Sequence, residues 1–222
     1  IFPKNGAVIS HGPSLYSSIY WDNKSWQLTD RQIYGAYNVS FNNRSELEVG
    51  IDDWYLYLTF PFDPTGSGAT PLPDSVGYKY RALFASYSSD FRKKLNYTAS
   101  ANYGTYFTGE KLTYNAEVFF RAQPWGIFSL ALEQNHIQTA DTSVLLTLIS
   151  PRFDLSFSRS LFFTTFFQYN TQQHNFNINA RFQWRFKPMS DLFIVLTDNY
   201  ATPELGVKNR AVVLKLNYWF TL

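Results

Sequence analysis

Alternation of apolar and polar side chains with a period of two residues recurs along this chain and restricts its fold more than any other feature. In one segment Leu112, Tyr114 and Ala116 would share one strand face, opposite Thr113 and Asn115. Such runs hold their phase for about ten residues, the length that a tilted strand needs to cross a bilayer. The signals of helices, a 3.6-residue apolar stripe preceded by a capping box, are missing. The pattern therefore predicts an all-β fold.

Segments rich in turn-forming residues separate these runs, so the pattern predicts twelve strands. They cover residues 13–22, 30–42, 45–60, 76–90, 94–108, 111–123, 125–137, 143–158, 160–170, 175–187, 191–198 and 208–220. We expect a transmembrane antiparallel β-barrel over residues 1–222, or the carboxy-terminal portion of a larger one. Residues 1–12 would be a periplasmic lead-in or the end of a preceding strand. The alternation blurs at Asp52-Asp53, where we expect a bulge.

The aromatic content supports the membrane interpretation. Phe, Trp and Tyr make up 19% of the residues, which suits the aromatic girdles at the two interfaces of a barrel. The mean hydropathy of −0.25 is compatible with a barrel, because lumen-facing residues dilute the apolar signal. No stretch reaches the 18 apolar residues of a spanning helix. The net charge of +2 leaves no footprint for nucleic acid.

The connections between the predicted strands indicate an orientation. With the carboxy terminus in the periplasm, the two longest connections, Pro61 to Ser75 and Asn199 to Val207, fall on the extracellular side. This sorting favours a bacterial outer-membrane location. The expected partners are outer-membrane lipid, lipopolysaccharide, the barrel-assembly machinery and other outer-membrane subunits.

Two segments are apolar on both strand faces, Leu161 to Tyr169 and Leu192 to Leu196. Their inward side chains would pack either against neighbouring side chains inside the barrel or against a plug or partner domain. The residues alone leave both alternatives open.

The last predicted strand carries the pattern of the carboxy-terminal signal for barrel insertion, in Leu214, Leu216, Tyr218 and Phe220. It departs from the usual pattern because Thr221 and Leu222 follow Phe220. The alternative is the edge strand of a soluble sheet. An edge that is so apolar on one face would aggregate in water, which favours the membrane.

Four segments carry a family resemblance. They are 179–195 (NARFQWRFKPMSDLFIV), 209–216 (NRAVVLKL), 166–170 (FFQYN) and 12–15 (GPSL). They resemble the carboxy-terminal barrel of an uncharacterised outer-membrane family whose members carry an amino-terminal domain similar to family-9 carbohydrate-binding modules. The resemblance is strongest over residues 150–220. It implies that the chain forms the last dozen or so strands of a larger closed barrel. Carbohydrate handling is likewise implied by kinship and by no residue present here.

The residues that could support catalysis or bind a metal are few. A lipid-facing Ser-His-Asn site, as in outer-membrane phospholipases, needs His and Ser on one strand face. His136 and His174 lie near predicted extracellular strand ends. Ser143 and Asn135 are close to His136 in sequence. No His-x-Ser pair shares a strand face, so we expect no catalytic site. Asp52, Asp53 and Asp63 lack EF-hand spacing, so we expect no metal and no cofactor.

The predicted inward set of charged residues is the remaining candidate. It comprises Glu46, Glu48, Arg81, Glu117, Arg121, Arg181, Arg185 and Lys215. These residues would form either a salt-bridged filling of the lumen or a selectivity lining for anionic or sugar-like solutes. The sequence thus favours a non-enzymatic outer-membrane barrel that acts as an anchor, channel or platform, with glycan-related uptake implied by the resemblance. The alternatives are an outer-membrane lipid hydrolase or protease, and a soluble all-β binding domain.

Overall fold

A computed structural model describes residues 1–220 as twelve antiparallel strands in one sheet, whose spatial order is the order of the chain. The strands are β1 (Val8–Trp21), β2 (Leu28–Phe41), β3 (Glu46–Leu58), β4 (Val76–Ser88), β5 (Leu95–Tyr106), β6 (Gly109–Ala122), β7 (Gly126–Gln138), β8 (Ser143–Ser156), β9 (Leu161–Asn170), β10 (Asn175–Lys187), β11 (Ser190–Ala201) and β12 (Gly206–Asn217). Within this described part, no helix has the length and apolar character needed to cross a membrane.

The predicted number of strands and their antiparallel arrangement are confirmed, and several boundaries need correction. Strand β1 begins at Val8, so the last part of the expected lead-in over residues 1–12 is strand. Strand β11 extends to Ala201 and β12 begins at Gly206, so the long connection expected from Asn199 to Val207 is wrong. Only the connection between β3 and β4 is long among the described residues, and the predicted sorting of long connections onto one side loses one of its two supports.

The bulge expected at Asp52-Asp53 is wrong. Strand β3 keeps a continuous register with β2 and β4, in which Asp52 lies opposite Tyr34 and Ala82. Each aspartate therefore occupies an ordinary strand position, and the two side chains leave the sheet on opposite faces. The blurred alternation comes from a charged side chain, Asp53, on a face that is otherwise apolar.

The chain divides into two compact units. Unit 1 comprises residues 1–91, 97–116 and 134–146. Unit 2 comprises residues 92–96, 117–133 and 147–222, and all of these except 221 and 222 are described. The division passes through β5, β6, β7 and β8, so complete strands of unit 1 are β1 to β4 and complete strands of unit 2 are β9 to β12.

Unit 1 separates its side chains onto two faces. The register places Tyr34, Glu48 and Asp52 on one face, which we call the polar face of unit 1. The opposite face carries large apolar side chains that remain exposed, for example Leu83, which is 64% exposed. Among the described residues the buried hydrophobic side chains are only Ala36, Leu58 and Ile137, so little of the apolar surface is hidden in a core.

Unit 2 shows the same separation. The register of β8 to β12 puts Arg181 on one face with the polar side chains of the neighbouring strands, and we call this the polar face of unit 2. The opposite face carries a series of aromatic rings, each in contact with the next at centroid distances of 5.2 to 6.5 Å. Its members are Phe128, Phe153, Phe167, Phe176 and Tyr200.

The final segment differs from its prediction. Leu214 and Leu216 lie in β12 and share a face, but the strand ends at Asn217, so Tyr218 and Phe220 follow the strand rather than complete it. The rings of these two residues contact each other at 4.5 Å between centroids. Thr221 and Leu222, the expected departure from the insertion signal, lie outside the described residues.

Candidate ligand site on the polar face of unit 1

The structure divides the predicted inward charges among different faces. Glu46 and Glu48 are two residues apart on β3, so both lie on the polar face of unit 1. Arg81 lies opposite Asp53 in the register of β3 and β4, so its assignment to the same set is wrong. Tyr80, Ala82 and Phe84 occupy alternate positions of β4 and lie on the polar face. Arg81 lies between two of them, so its side chain points to the opposite face.

The other predicted residues keep a common face within their own strands. Glu117 and Arg121 have the same parity on β6 as Asn115, which lines the cavity described below. Arg181 and Arg185 share one face of β10, and Lys215 lies on the corresponding face of β12 through the register of β11. These five residues therefore lie on the polar faces of their strands, and their position in a lumen stays a prediction; the structure does not bring all of them together.

A cavity of about 400 Å³ lies on the polar face of unit 1. Strands β2 to β6 build it, because alternate residues of neighbouring strands project from the same face of a sheet. Its wall combines acidic, aromatic, amide and hydroxyl side chains. The lining residues that carry the argument below are Tyr34, Glu48, Asp52, Trp54, Tyr80, Asn102, Tyr106, Lys111 and Asn115.

The two carboxylates of the cavity accept hydrogen bonds from neutral donors. The Tyr34 hydroxyl donates to Glu48 at 2.5 Å, and the Gln32 amide donates to both oxygens of Asp52 at 3.0 and 3.1 Å. A carboxylate has about four acceptor positions, so each of the two keeps acceptor capacity after these bonds. The donors fix the orientation of the carboxylates without neutralising their charge.

Aromatic rings form a second part of the wall. The Trp54 and Tyr80 rings are nearly parallel, with 10° between their planes and 6.2 Å between their centroids. Tyr34 and Phe84 stack at 4.9 Å, and Phe84 lies directly over Gly50, where an added Cβ would be 2.6 Å from the ring. Glycine at position 50 is therefore what allows the ring to lie flat against the sheet.

A single ammonium group borders the aromatic wall. The Lys111 Nζ lies 4.9 Å from the centroid of the Tyr106 ring, within the range of a cation–π contact. The Tyr106 ring in turn meets Tyr80 edge to face, with 5.7 Å between centroids. One end of the aromatic wall thus already contacts a positive charge that belongs to the chain.

Sequence reasoning missed most of this site. Asp52 and Trp54 have the same parity on β3 as Glu48, and this parity is the signal that could have identified them. The expected bulge at Asp52-Asp53 would have interrupted this parity. Tyr80 follows from the same argument, because the register aligns it with Trp54, but a register is not visible in a single sequence.

The apolar face of unit 1 carries one charged cluster, at the end of β2 to β4 next to the long connection. Asp53 accepts one guanidinium on each oxygen, from Arg31 at 2.6 Å and from Arg81 at 2.7 Å. The charge of Asp53 is therefore paired with two arginines on this face.

The long connection between β3 and β4 is ordered by its own contacts. Phe62 and Leu72 exchange two backbone hydrogen bonds, and Asp63 accepts hydrogen bonds from Thr65, Gly68 and Ala69. Burial alone would raise the pKa of Asp63, but these hydrogen bonds outweigh it and hold the pKa below its ordinary value. The Phe62 ring contacts Phe107 at the end of β5, 5.4 Å between centroids, which attaches the connection to the sheet.

The polar face of unit 2 is organised by arginine–carboxylate pairs. Arg152 binds Asp154 at 2.7 Å, and Arg185 binds Asp191 at 3.2 Å. The Arg185 guanidinium also lies 5.8 Å from the centre of the Phe162 ring. This contact supports the expectation that inward apolar residues of β9 pack against neighbouring side chains.

One histidine has a serine partner. The His136 Nε2 lies 3.1 Å from the Ser143 Oγ, where β7 and β8 approach their connection. The two residues lie on neighbouring strands, so a His-x-Ser spacing within one strand does not indicate their contact. Among residues 1–220 no side chain is hydrogen-bonded to the second ring nitrogen of His136, and Asn135 instead accepts a hydrogen bond from Thr113. His174 lies in the connection between β9 and β10.

The described residues contain no group of three or more His, Cys, Asp or Glu side chains arranged to hold a metal ion. Comparison of the chain with protein-family models, with curated proteins and with solved structures finds no match.

Proposed function

We propose that the chain is a β-barrel of the bacterial outer membrane, or part of a larger barrel, and that it acts as a non-enzymatic anchor, channel or platform. The observation that carries the proposal is the separation of side chains onto two faces in both units. An exposed apolar and aromatic face suits contact with lipid, and a polar face suits a water-filled lumen.

Energetic arguments favour lipid over water on the apolar face. Leu83 and Leu214 are 64% and 69% exposed, and each lies on a strand face that carries further exposed apolar side chains. Soluble monomers rarely expose apolar patches of more than a few hundred Å². In lipid the same side chains need no cover, and the strands, 10 to 14 residues long, have the length for a tilted crossing.

Glycan-related uptake is the more specific form of this proposal. It is supported by the resemblance over residues 150–220 to barrels that follow a carbohydrate-binding-like domain. Lipid, lipopolysaccharide, the barrel-assembly machinery and further outer-membrane subunits would be the partners of such a barrel.

Detergent dependence tests the proposal. We expect the purified chain to be monodisperse in detergent, to insert into lipid vesicles and to aggregate when detergent is removed. A protein that is stable and monodisperse without detergent would contradict the membrane assignment and favour the soluble all-β alternative. Conductance in planar bilayers then separates a channel, which gives discrete current steps, from an anchor or platform, which gives none.

The His136–Ser143 contact favours a second candidate function, that of a lipid hydrolase. A serine hydroxyl within hydrogen-bond reach of a histidine is the first requirement of an activated nucleophile. The test is lipase activity, together with labelling by a fluorophosphonate probe, in the parent chain and in Ser143→Ala and His136→Ala variants, with His174→Ala as the control. Activity or labelling that both variants lose and the control retains would establish the hydrolase. Absence of both in the parent chain would exclude it.

A further inference from the structure

We propose that the cavity on the polar face of unit 1 binds a neutral saccharide, with one sugar ring against Trp54 and Tyr80 and its hydroxyl groups on Glu48 and Asp52. The inference deepens the proposed function and rests on it only for the access of solutes to this face. It names a ligand class and a set of residues that the resemblance does not supply.

The aromatic wall provides the apolar part of the site. A pyranose ring has C–H groups on its faces and hydroxyl groups around its rim, so it can lie on an aromatic ring while its rim stays polar. Trp54 and Tyr80 are nearly parallel neighbours, with 10° between their planes and 6.2 Å between their centroids, and both rings line the cavity. The cavity of about 400 Å³ is of the size in which proteins bind small molecules.

The polar part of the wall suits hydroxyl groups. Glu48 and Asp52 act only as acceptors, and Tyr34 and Gln32 fix their orientation. Asn102 and Asn115 add amide groups that both donate and accept. A sugar hydroxyl both donates and accepts, so a wall with both kinds of group satisfies several hydroxyls at once.

The charge distribution favours a neutral ligand over an organic cation. Carboxylates beside aromatic rings also suit an ammonium group, which binds over a ring face. Here the Lys111 ammonium already lies 4.9 Å from the Tyr106 ring and would repel a second cation at that end of the wall. A quaternary ammonium ion has neither an N–H donor nor an acceptor, so it would also form no hydrogen bond with the Asn102 amide.

Binding is measured by calorimetry and tryptophan fluorescence on the whole chain in detergent. The probes are maltotetraose, cellotetraose and xylotetraose, with tetramethylammonium as the cationic comparison. We expect at least one oligosaccharide to bind and to change tryptophan fluorescence, and tetramethylammonium neither to bind nor to compete. Binding of tetramethylammonium in place of every sugar, or of none of the four probes, would overturn the proposal.

Matched variants locate the site. Trp54→Ala is expected to weaken sugar affinity by about tenfold or more, and Trp54→Phe, which keeps a ring, by less. Glu48→Gln tests the carboxylate, with Glu110→Gln as its control, because Glu110 also accepts a tyrosine hydroxyl, that of Tyr103 at 2.7 Å, but on the opposite face. The control for the aromatic ring is Trp184→Ala on the apolar face of unit 2.

The outcomes separate this proposal from the membrane assignment. Sugar affinity that Trp54→Ala and Glu48→Gln leave unchanged, in protein whose circular dichroism matches the parent, would overturn the proposed site, and so would equal losses in the two control variants. If Trp54→Ala does not fold, Trp54→Phe and Glu48→Gln decide. A chain that is monodisperse without detergent but binds sugar through Trp54 would refute the barrel and leave the site standing.

Discussion

The polar faces of the two units contain similar residues but pair their charges differently. In unit 1, Glu48 and Asp52 accept hydrogen bonds from the neutral donors Tyr34 and Gln32. In unit 2, Asp154 and Asp191 each bind an arginine. Guanidinium pairs satisfy charge within the protein, whereas neutral donors orient a carboxylate and leave its charge available.

This difference bears on the two alternatives for the charged set. Asp154 and Asp191 have arginine partners on the polar face of unit 2, which is the kind of pairing that a salt-bridged filling requires. A lining that contacts solutes suits the polar face of unit 1, where a cavity adjoins the carboxylates. The two alternatives are therefore compatible predictions, because each draws on a different region of the molecule.

The largest expected effect concerns ion selectivity, if the chain conducts. Arg181→Glu changes the charge of the polar face of unit 2 by two units, and we expect it to invert the preference between anions and cations. The measurement is the reversal potential across a salt gradient in planar bilayers. Lys79→Glu makes the same charge change on the apolar face and serves as the control. An equal shift of the reversal potential in both variants would show that ion selectivity does not depend on the face of the sheet on which the charge lies.

Gly50→Val should cause the largest loss of stability. An added side chain would collide with the Phe84 ring and with the Gly35 carbonyl, which is backbone and cannot move aside cheaply. Overpacking of this kind costs about 1–3 kcal/mol in the free energy of unfolding. Denaturant unfolding in detergent measures it. Gly12→Val is the control, since no atom lies within 4 Å of an added Cβ there, and a similar loss in both would contradict the packing argument.

Asp191→Asn compares the two kinds of pairing directly. The Asp191 side chain is 14% exposed and that of Arg185 is 46% exposed, so solvent screens the pair and its loss should cost only about 0.5–1 kcal/mol. Glu48→Gln keeps an acceptor for Tyr34 and should cost less. Unfolding at low and high salt checks this, because only the ion pair should weaken with salt. Equal salt dependence in parent and Asp191→Asn protein would contradict the assignment.

The smallest expected effect is the pH response of the long connection. The pKa of Asp63 lies below its ordinary value of 3.8, so the order that its carboxylate provides is complete above that value and is lost as the pH falls through the lowered pKa. A spin label on Thr70→Cys reports this cleanly, because the chain has no cysteine. We expect label mobility to rise below pH 3.8 and to be high at every pH in an added Asp63→Asn background. Identical pH curves in both would remove Asp63 from this role.

Much of the fold was predictable, because strand periodicity is a local property. The presence of twelve strands follows from alternation and turn residues alone. The ends of β1, β11 and β12 were misplaced because Pro13, and the turn residues near Thr202, weaken the pattern without ending the strand.

The candidate site was only partly predictable, because it depends on register. Glu48 was identified from its own strand, but Trp54 and Tyr80 become neighbours only through the pairing of β3 with β4. Arg81 was assigned to the wrong face for the same reason. Likewise, the contact between His136 and Ser143 joins two strands, and no spacing within one strand indicates it.

The order of the long connection also decides where foreign sequence can enter the chain. An epitope tag between Gly66 and Gly68 would separate Asp63 from the Gly68 and Ala69 amides, and the loop would lose its ordered conformation. Pro73 and Asp74 lie outside that closure, beyond Leu72 and before the Ser75 amide that binds the Leu58 carbonyl. A tag placed there would leave both sets of hydrogen bonds intact, so this exposed position suits detection of the purified chain with an antibody.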